Sequence, residues 1–184
     1  MTGQYFALVG SDETSRTNDS CGRYFRFDPA TGAWSSDIAP MSHDRSGHAV
    51  AALDGSIYVV GGYDPCRNQW ASVAPLGTKR FQCSVSVLNG CLYAVGGWTE
   101  SSAERFDPRV GKWEQIRPMT AHRACFGSAV LGEHLYAAGG HSGLELLGSA
   151  ENYDPRTNTW TAVADMNEKR SDVSPSFFPI SSSP

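Results

Sequence analysis

This sequence is poor in charge and has no long apolar run. Charged residues make up 18% of its 184 residues, with a net charge of −4. There is no run of lysines or arginines, which argues against nucleic acid or an anionic membrane as the main partner. The longest apolar stretches are of strand length, short of the ~20 residues a membrane-spanning helix needs. The opening MTGQYFALVG lacks the basic leader and apolar length of a secretory signal. Five cysteines (Cys21, Cys66, Cys83, Cys91, Cys125) are odd in number, scattered and without a C-x-x-C pair. A disulfide framework is therefore not expected, and reduced thiols in the cytosol or nucleus fit better. Cys83, Cys91 and Cys125 fall in expected strands, as small core residues. Asn18-Asp19-Ser20 matches a glycosylation sequon and, without an export signal, reads as a polar loop.

Catalytic signatures are missing too. There is no nucleophile elbow, phosphate loop or HExxH. His43, His48 and His122 gather near one set of expected loops, but no carboxylate or thiol completes a ligand set. Neither a metal, nor another cofactor, nor enzyme activity is expected.

What is present is repetition, with 19 glycines and 10 prolines to turn the chain. IYVVGG at 57–62, LYAVGG at 92–97 and LYAAGG at 135–140 each end an apolar run in two glycines. Asp-Pro recurs at residues 28, 64, 107 and 154, and a tryptophan follows six residues after each Asp: Trp34, Trp70, Trp113, Trp160. Met41, Leu76, Met119 and Met166 come next, each four residues before an arginine: Arg45, Arg80, Arg123, Arg170. From the first three arginines, the next glycine pair begins sixteen residues on, at Gly61, Gly96 and Gly139. Forward from the pair to Asp-Pro, the distance varies from three to fifteen.

One period reads as a four-stranded antiparallel sheet. Strand a is a segment such as His48–Leu53, Cys83–Leu88 or Phe126–Leu131. Asp54-Gly55 or Asn89-Gly90 supplies a two-residue hairpin turn. Strand b is the apolar run, expected to be buried on both faces and ended by its glycines. Strand c is AERF at 103–106 or AENY at 150–153, and strand d is WEQI at 113–116 or WTAV at 160–163. One such sheet cannot bury both faces, whereas sheets packed radially can, which predicts an all-β propeller. The tryptophans would pack between blades, contributing at most about 4–6 kcal/mol each.

The glycine pair, the aromatic before Asp-Pro and the tryptophan six residues on resemble the kelch repeat over residues 5–170. Phrases such as AERFDP and LYAVGG are most similar to the kelch-like substrate adaptors of ubiquitin ligases. In that family BTB and BACK domains precede a six-bladed propeller. The resemblance implies about four repeats of such a parent (5–44, 45–79, 80–122, 123–169) and a divergent tail at 171–184. It also implies protein binding, as substrate recognition for a cullin-RING ligase engaged through domains not found in these 184 residues. Actin or cytoskeletal scaffolding is the alternative, as other kelch proteins show. The copper set of the kelch oxidases cannot be assembled from the tyrosines and histidines here. The second repeat passes from Gly62 straight to Tyr63-Asp64-Pro65, so it should lack strand c and leave a pairing edge exposed. The first repeat has no strand a before Tyr5, and the tail begins like a strand a but meets Pro175. A fragment or short isoform is expected, and a closed four-bladed ring is less favoured.

Two loop sets share one face in kelch-like propellers, and the resemblance implies that this face receives the partner peptide. One set carries Arg45, Arg80, Arg123 and Arg170, and the other begins with Tyr63, Trp98 and His141. Arginine and aromatic residues suit hot spots, and a ring of arginines would favour an acidic or phosphorylated motif. Because the arginines repeat in every blade, they could equally bond carbonyls or carboxylates inside the propeller. Trp98 stands outside the tryptophan register, so the repeat does not dictate a packing role for it.

Overall fold

The computed structural model describes residues 6–10, 23–28, 31–35, 46–54, 56–63 and 74–172. Every regular element among them is a β-strand. The chain divides into two compact units, one of residues 1–46 and 63–72, the other of 47–62 and 73–184.

In the first unit, β1 (Phe6–Gly10), β2 (Arg23–Asp28) and β3 (Ala33–Ser35) form a sheet in that order. Phe27 stands opposite Trp34. These are strands b, c and d of the first repeat, and no strand a precedes them among the described residues.

The second unit begins with a ribbon of β4 (Ser46–Leu53) and β5 (Ser56–Tyr63), all but their end residues Ser46 and Tyr63. A four-stranded sheet follows: β6 (Ser84–Leu88), β7 (Cys91–Gly97), β8 (Glu100–Asp107) and β9 (Lys112–Ile116). The next repeat gives β10 (Gly127–Leu131), β11 (His134–Ala138), β14 (Ala150–Asp154) and β15 (Thr159–Val163), also four-stranded. Inserted in it is a hairpin of β12 (His141–Ser142) and β13 (Glu145–Leu146). No described strand pairs with the outer edge of β5, while residues 64–73, where a third strand would fall, lie outside the described residues.

Local chemistry accounts for the turns. Asp54 and Asn89 take left-handed φ of 49° and 52° at their hairpins, a conformation that short polar side chains tolerate. Across β8 and β9, Phe106 stands opposite Trp113, and across β14 and β15, Tyr153 stands opposite Trp160. Each ring pair is 5.2 Å apart.

Alternation along β7 feeds two apolar clusters. Leu92 joins Leu53, Tyr58, Phe106 and Trp113 between the ribbon and the first four-stranded sheet. Cys91, Tyr93 and Val95 meet Phe126, Leu135, Ala137 and Tyr153 of the second four-stranded sheet. Trp113 and Trp160 also reach back to the chain segment that leads into their own sheets. The indole N–H of Trp113 donates to Ala74 O at 2.9 Å, and that of Trp160 to Arg117 O at 2.8 Å. Both rings keep some surface in water, so each contributes less than the roughly 4–6 kcal/mol of full burial.

Several details differ from expectation. The glycine pair ends β7 as expected, but its backbone stays in the ladder across a register shift between Val95 and Gly97. The strand paired next to it starts at Glu100 rather than Ala103, because the backbone beyond the bulge keeps pairing, Gly97 with Glu100. Burial on both faces holds for β7, but β11 alternates: Leu135 and Ala137 are buried, His134, Tyr136 and Ala138 half-buried. Cys83 and Cys125 lie just before β6 and β10, and Cys125 has a left-handed φ of 49°. Facing strands a meet through hydroxyls, with Ser128 Oγ at 2.6 Å from Ser84 Oγ and 2.8 Å from Ser86 Oγ. Tyr93 is a buried core residue as read, whereas Tyr58 and Tyr136 are half-buried.

Candidate functional site

Among the described residues, the arginines of the loop set are of two kinds. Arg80 and Arg123 are buried, with side chains 0% and 1% exposed, and each is held by its own blade. Arg80 Nη1 donates to Gly96 O at 2.9 Å and Ser102 O at 2.7 Å. Its Nη2 donates to Ser102 Oγ at 3.0 Å and Glu104 Oε1 at 2.9 Å. Arg123 repeats the pattern on Gly139 O (3.0 Å), Ser149 O (2.9 Å), Ser149 Oγ (2.8 Å) and Glu151 Oε1 (3.0 Å). Its Nε adds a second bond to Glu151, whereas Arg80 Nε has no described partner.

The carboxylates are satisfied from the other side. Glu104 accepts the Gly77 and Thr78 N–H groups at 2.7 and 3.1 Å. Glu151 accepts the Thr120 N–H at 2.9 Å and its hydroxyl at 2.8 Å. Burying a guanidinium and a carboxylate is tolerable only when both are paired and well bonded; here both ions are paired, and every guanidinium nitrogen but Arg80 Nε is bonded. Neither guanidinium presents a donor at the surface to a client. As placed, Arg80 and Arg123 clamp the loop before strand a to strands b and c.

The clasp gives the sixteen-residue spacing a cause. One end is the guanidinium and the other is the carbonyl of the first glycine, sixteen residues on. That glycine must be a glycine. Gly96 has φ of +64°, and a Cβ there would lie 2.6 Å from Arg123 O; at Gly139, φ +67°, it would lie 2.5 Å from Arg170 O. The second glycine completes the stitch, with Gly97 N donating to Arg123 O at 2.9 Å and Gly140 N to Arg170 O at 2.7 Å. A feature with no evident sequence signal lies two residues past each arginine. Gly47, Gln82, Cys125 and Asp172 all have left-handed φ, of 64°, 56°, 49° and 53°. Their backbones bond in series: Gln82 N to Gly47 O at 2.8 Å, Cys125 N to Gln82 O at 3.2 Å, Asp172 N to Cys125 O at 2.6 Å.

Above this frame lies an aromatic surface. Trp98 N donates to Phe81 O, and His141 N to Ala124 O, both at 2.9 Å, so each residue after a glycine pair is pinned beside the residue after its arginine. The Trp98 and His141 rings meet edge to face, 5.3 Å apart at 79°. Trp98 is 51% exposed and Phe81 39%. The strand pairing sets Leu146 opposite His141, and Leu144 at the hairpin tip is fully exposed.

The structure therefore brings Trp98 and His141 together, and adds Phe81, Leu144 and Leu146, which sequence reasoning did not single out. Arg170 is exposed and pairs with Glu168 at 2.6 Å. Tyr63 lies at the end of β5 with only its backbone described, as do Trp34, Gly61 and Gly62 in their strands. Arg45, Trp70 and His43 lie outside the described residues. His48 lies in β4, and His122 Nδ1 is 3.0 Å from Thr99 O.

Successive four-stranded sheets, stitched at glycine pairs and packed through their apolar faces, define an all-β partial propeller. The kelch motif matches residues 44–69, 79–120 and 122–167, and the chain belongs to the kelch-repeat family. Kelch repeats are modules for protein–protein interaction.

Proposed function

We propose that this chain recognises a client protein on its loop face, as the substrate-receiving part of a cullin-RING ubiquitin-ligase adaptor. The observation that carries the reading is Trp98, a half-exposed tryptophan that stands outside the tryptophan register of the repeat. Its ring meets that of His141, which stands opposite Leu146 in the β12–β13 hairpin, and its backbone N–H bonds Phe81 O. Large rigid aromatic area at low entropic cost is what interface hot spots use. With Arg80 and Arg123 committed to the clasp, preference for an acidic or phosphorylated client rests on Arg170 and Arg45. The free thiols Cys83, Cys91 and Cys125 support a cytosolic or nuclear setting.

The test is crosslinking capture from cells with the wild-type chain and Trp98→Ala in parallel. A client should be retained by the wild type and lost about tenfold or more by the variant, with an unchanged melting temperature. Its ubiquitylation should rise when the chain is tethered to a cullin-binding domain. Equal capture by both forms would remove Trp98 from the interface. Co-sedimentation with filamentous actin that survives purification would assign the chain to cytoskeletal scaffolding instead.

A further inference from the structure

The β12–β13 hairpin has two unlike faces. Side chains directly opposite each other in an antiparallel pair lie on one face, and successive residues alternate. His141 and Leu146 therefore share one face, and Ser142 and Glu145 the other. The first face continues into the neighbouring blade, because the His141 ring meets that of Trp98 edge to face at 5.3 Å. Trp98, His141 and Leu146 thus form a row at most roughly 10 Å long, opposed side chains being ~5 Å apart. Trp98 and Leu146 are half exposed, and Leu144 at the turn is wholly in solvent. The turn needs Gly143, at φ +64°, and makes no demand for a leucine beside it.

The base of the row is held by backbone. His141 and Ala124 exchange both bonds, at 2.9 and 3.0 Å, and Leu147 N donates to Gly140 O at 2.8 Å. Charge around the row is already answered. Arg80 and Arg123 belong to Glu104 and Glu151. Arg170, whose N–H bonds Leu147 O at the hairpin base, turns its guanidinium to Glu168 at 2.6 Å. Glu100, opposite Gly97, accepts from Ser102 Oγ at 2.9 Å, and Glu145 lies on the far face of the hairpin. Lys79 and Lys169, each next to one of these arginines, stand exposed and are the cations that an acidic client would have to use.

We propose that the client segment read by this row is short, extended and uncharged, with two apolar side chains two residues apart, rather than acidic or phosphorylated. This rests on the reading of the loop face as a client site and goes beyond it by naming what the site selects. Charge complementarity carries the choice. A row flanked by compensated ions gains by covering apolar surface, and loses by desolvating a carboxylate or phosphate that it cannot pair. Side chains two residues apart in an extended segment lie on one side, roughly 7 Å from each other, which fits a row of this length. Because the row is already fixed by its backbone bonds, little ordering cost opposes binding.

The probe is an array of randomised peptides in four sets, neutral apolar, acidic, phosphoserine-bearing and basic, read with the full chain. Neutral peptides with Leu, Ile, Phe or Trp two residues apart should be retained about tenfold or more over each charged set. For the best of them, Trp98→Ala and Leu146→Ser should each weaken binding about fivefold or more, with unchanged melting temperatures. Joint Lys79→Ala and Lys169→Ala should leave the affinity unchanged, as should raising salt from about 0.05 to 0.5 M. Preference for any charged set, or an affinity that falls with the lysines or with salt, overturns the inference. An array with no retention that depends on Trp98 overturns it as well. In each of these cases the loop-face reading survives if crosslinking capture from cells still requires Trp98, and falls if capture is indifferent to it. A chain that is a dimer by light scattering and is dissociated by Leu146→Ser would show the row covered by a second copy, and the inference fails.

Discussion

Replacing Arg123 with alanine separates a clasp from a contact residue. The side chain is 1% exposed and makes five hydrogen bonds, to Gly139 O, Ser149 O, Ser149 Oγ and twice to Glu151 Oε1. Its removal leaves Glu151 buried with the two Thr120 bonds and no cation, and strips a donor from two carbonyls. Breaking one side of a buried ion pair costs about 3–5 kcal/mol, and the bared carbonyls push towards the upper end. Against a typical domain stability of roughly 5–15 kcal/mol, that is about a fifth of the total or more. A urea titration followed by tryptophan fluorescence should show the midpoint falling with the slope unchanged. Joint replacement by Arg123→Met and Glu151→Leu should recover more than half of the loss, since no charge is then left alone. The reasoning is refuted if Arg123→Ala costs less than about 1 kcal/mol, the size of an exposed contact, while client binding collapses.

Other substitutions probe the remaining parts of the frame. Gly96→Ala should cost roughly 2–4 kcal/mol through left-handed strain plus collision, because its Cβ would meet Arg123 O at 2.6 Å. Gly111→Ala, with φ of +71° and nothing within 4 Å, should show the strain alone, about 1 kcal/mol by the same denaturation assay. Burial pushes the Cys83 thiol up to about 11, with Arg80 opposing weakly. The folded thiol should therefore resist an aromatic disulfide reagent at pH 8 that labels the unfolded chain readily. Because the unfolded chain gives up that proton first, stability should fall between about pH 9 and 11, and Cys83→Ala should flatten the slope. Trp113→Phe, which loses the bond to Ala74 O, should lower unfolding free energy by about 1 kcal/mol.

Much of the blade was legible because its rules are local. The hairpin dipeptides, the fixed spacing from Asp-Pro to tryptophan and the short strand segments all act within a few residues, whereas the pairing of Phe106 with Trp113 and of Tyr153 with Trp160 came from the structure. Even the sixteen-residue interval was visible as a regularity, although its cause was not. Glu104 and Glu151 drew no notice as clasp partners because each lies more than twenty residues from its arginine, at a distance that varies with the loop between. The ambiguity of the arginines had the same root. A guanidinium repeated in every blade has one sequence signature whether it faces a client or a carboxylate. The β12–β13 hairpin was missed because two-residue strands carry no periodicity. The left-handed residues after the arginines were missed because Gly, Gln, Cys and Asp share no preference that marks the position.

By itself, the sequence determined the repeat, the all-β class and the membership of a family of interaction modules. Those depend on spacing and on short-range chemistry, which are written in order along the chain. Only the tertiary structure decided which arginines are spent inside and which remains in water. It also showed that Trp98 and His141, one blade apart, make a single surface. Burial and pairing belong to residues distant in the chain, and packing sheet on sheet is what brings them within a few ångströms.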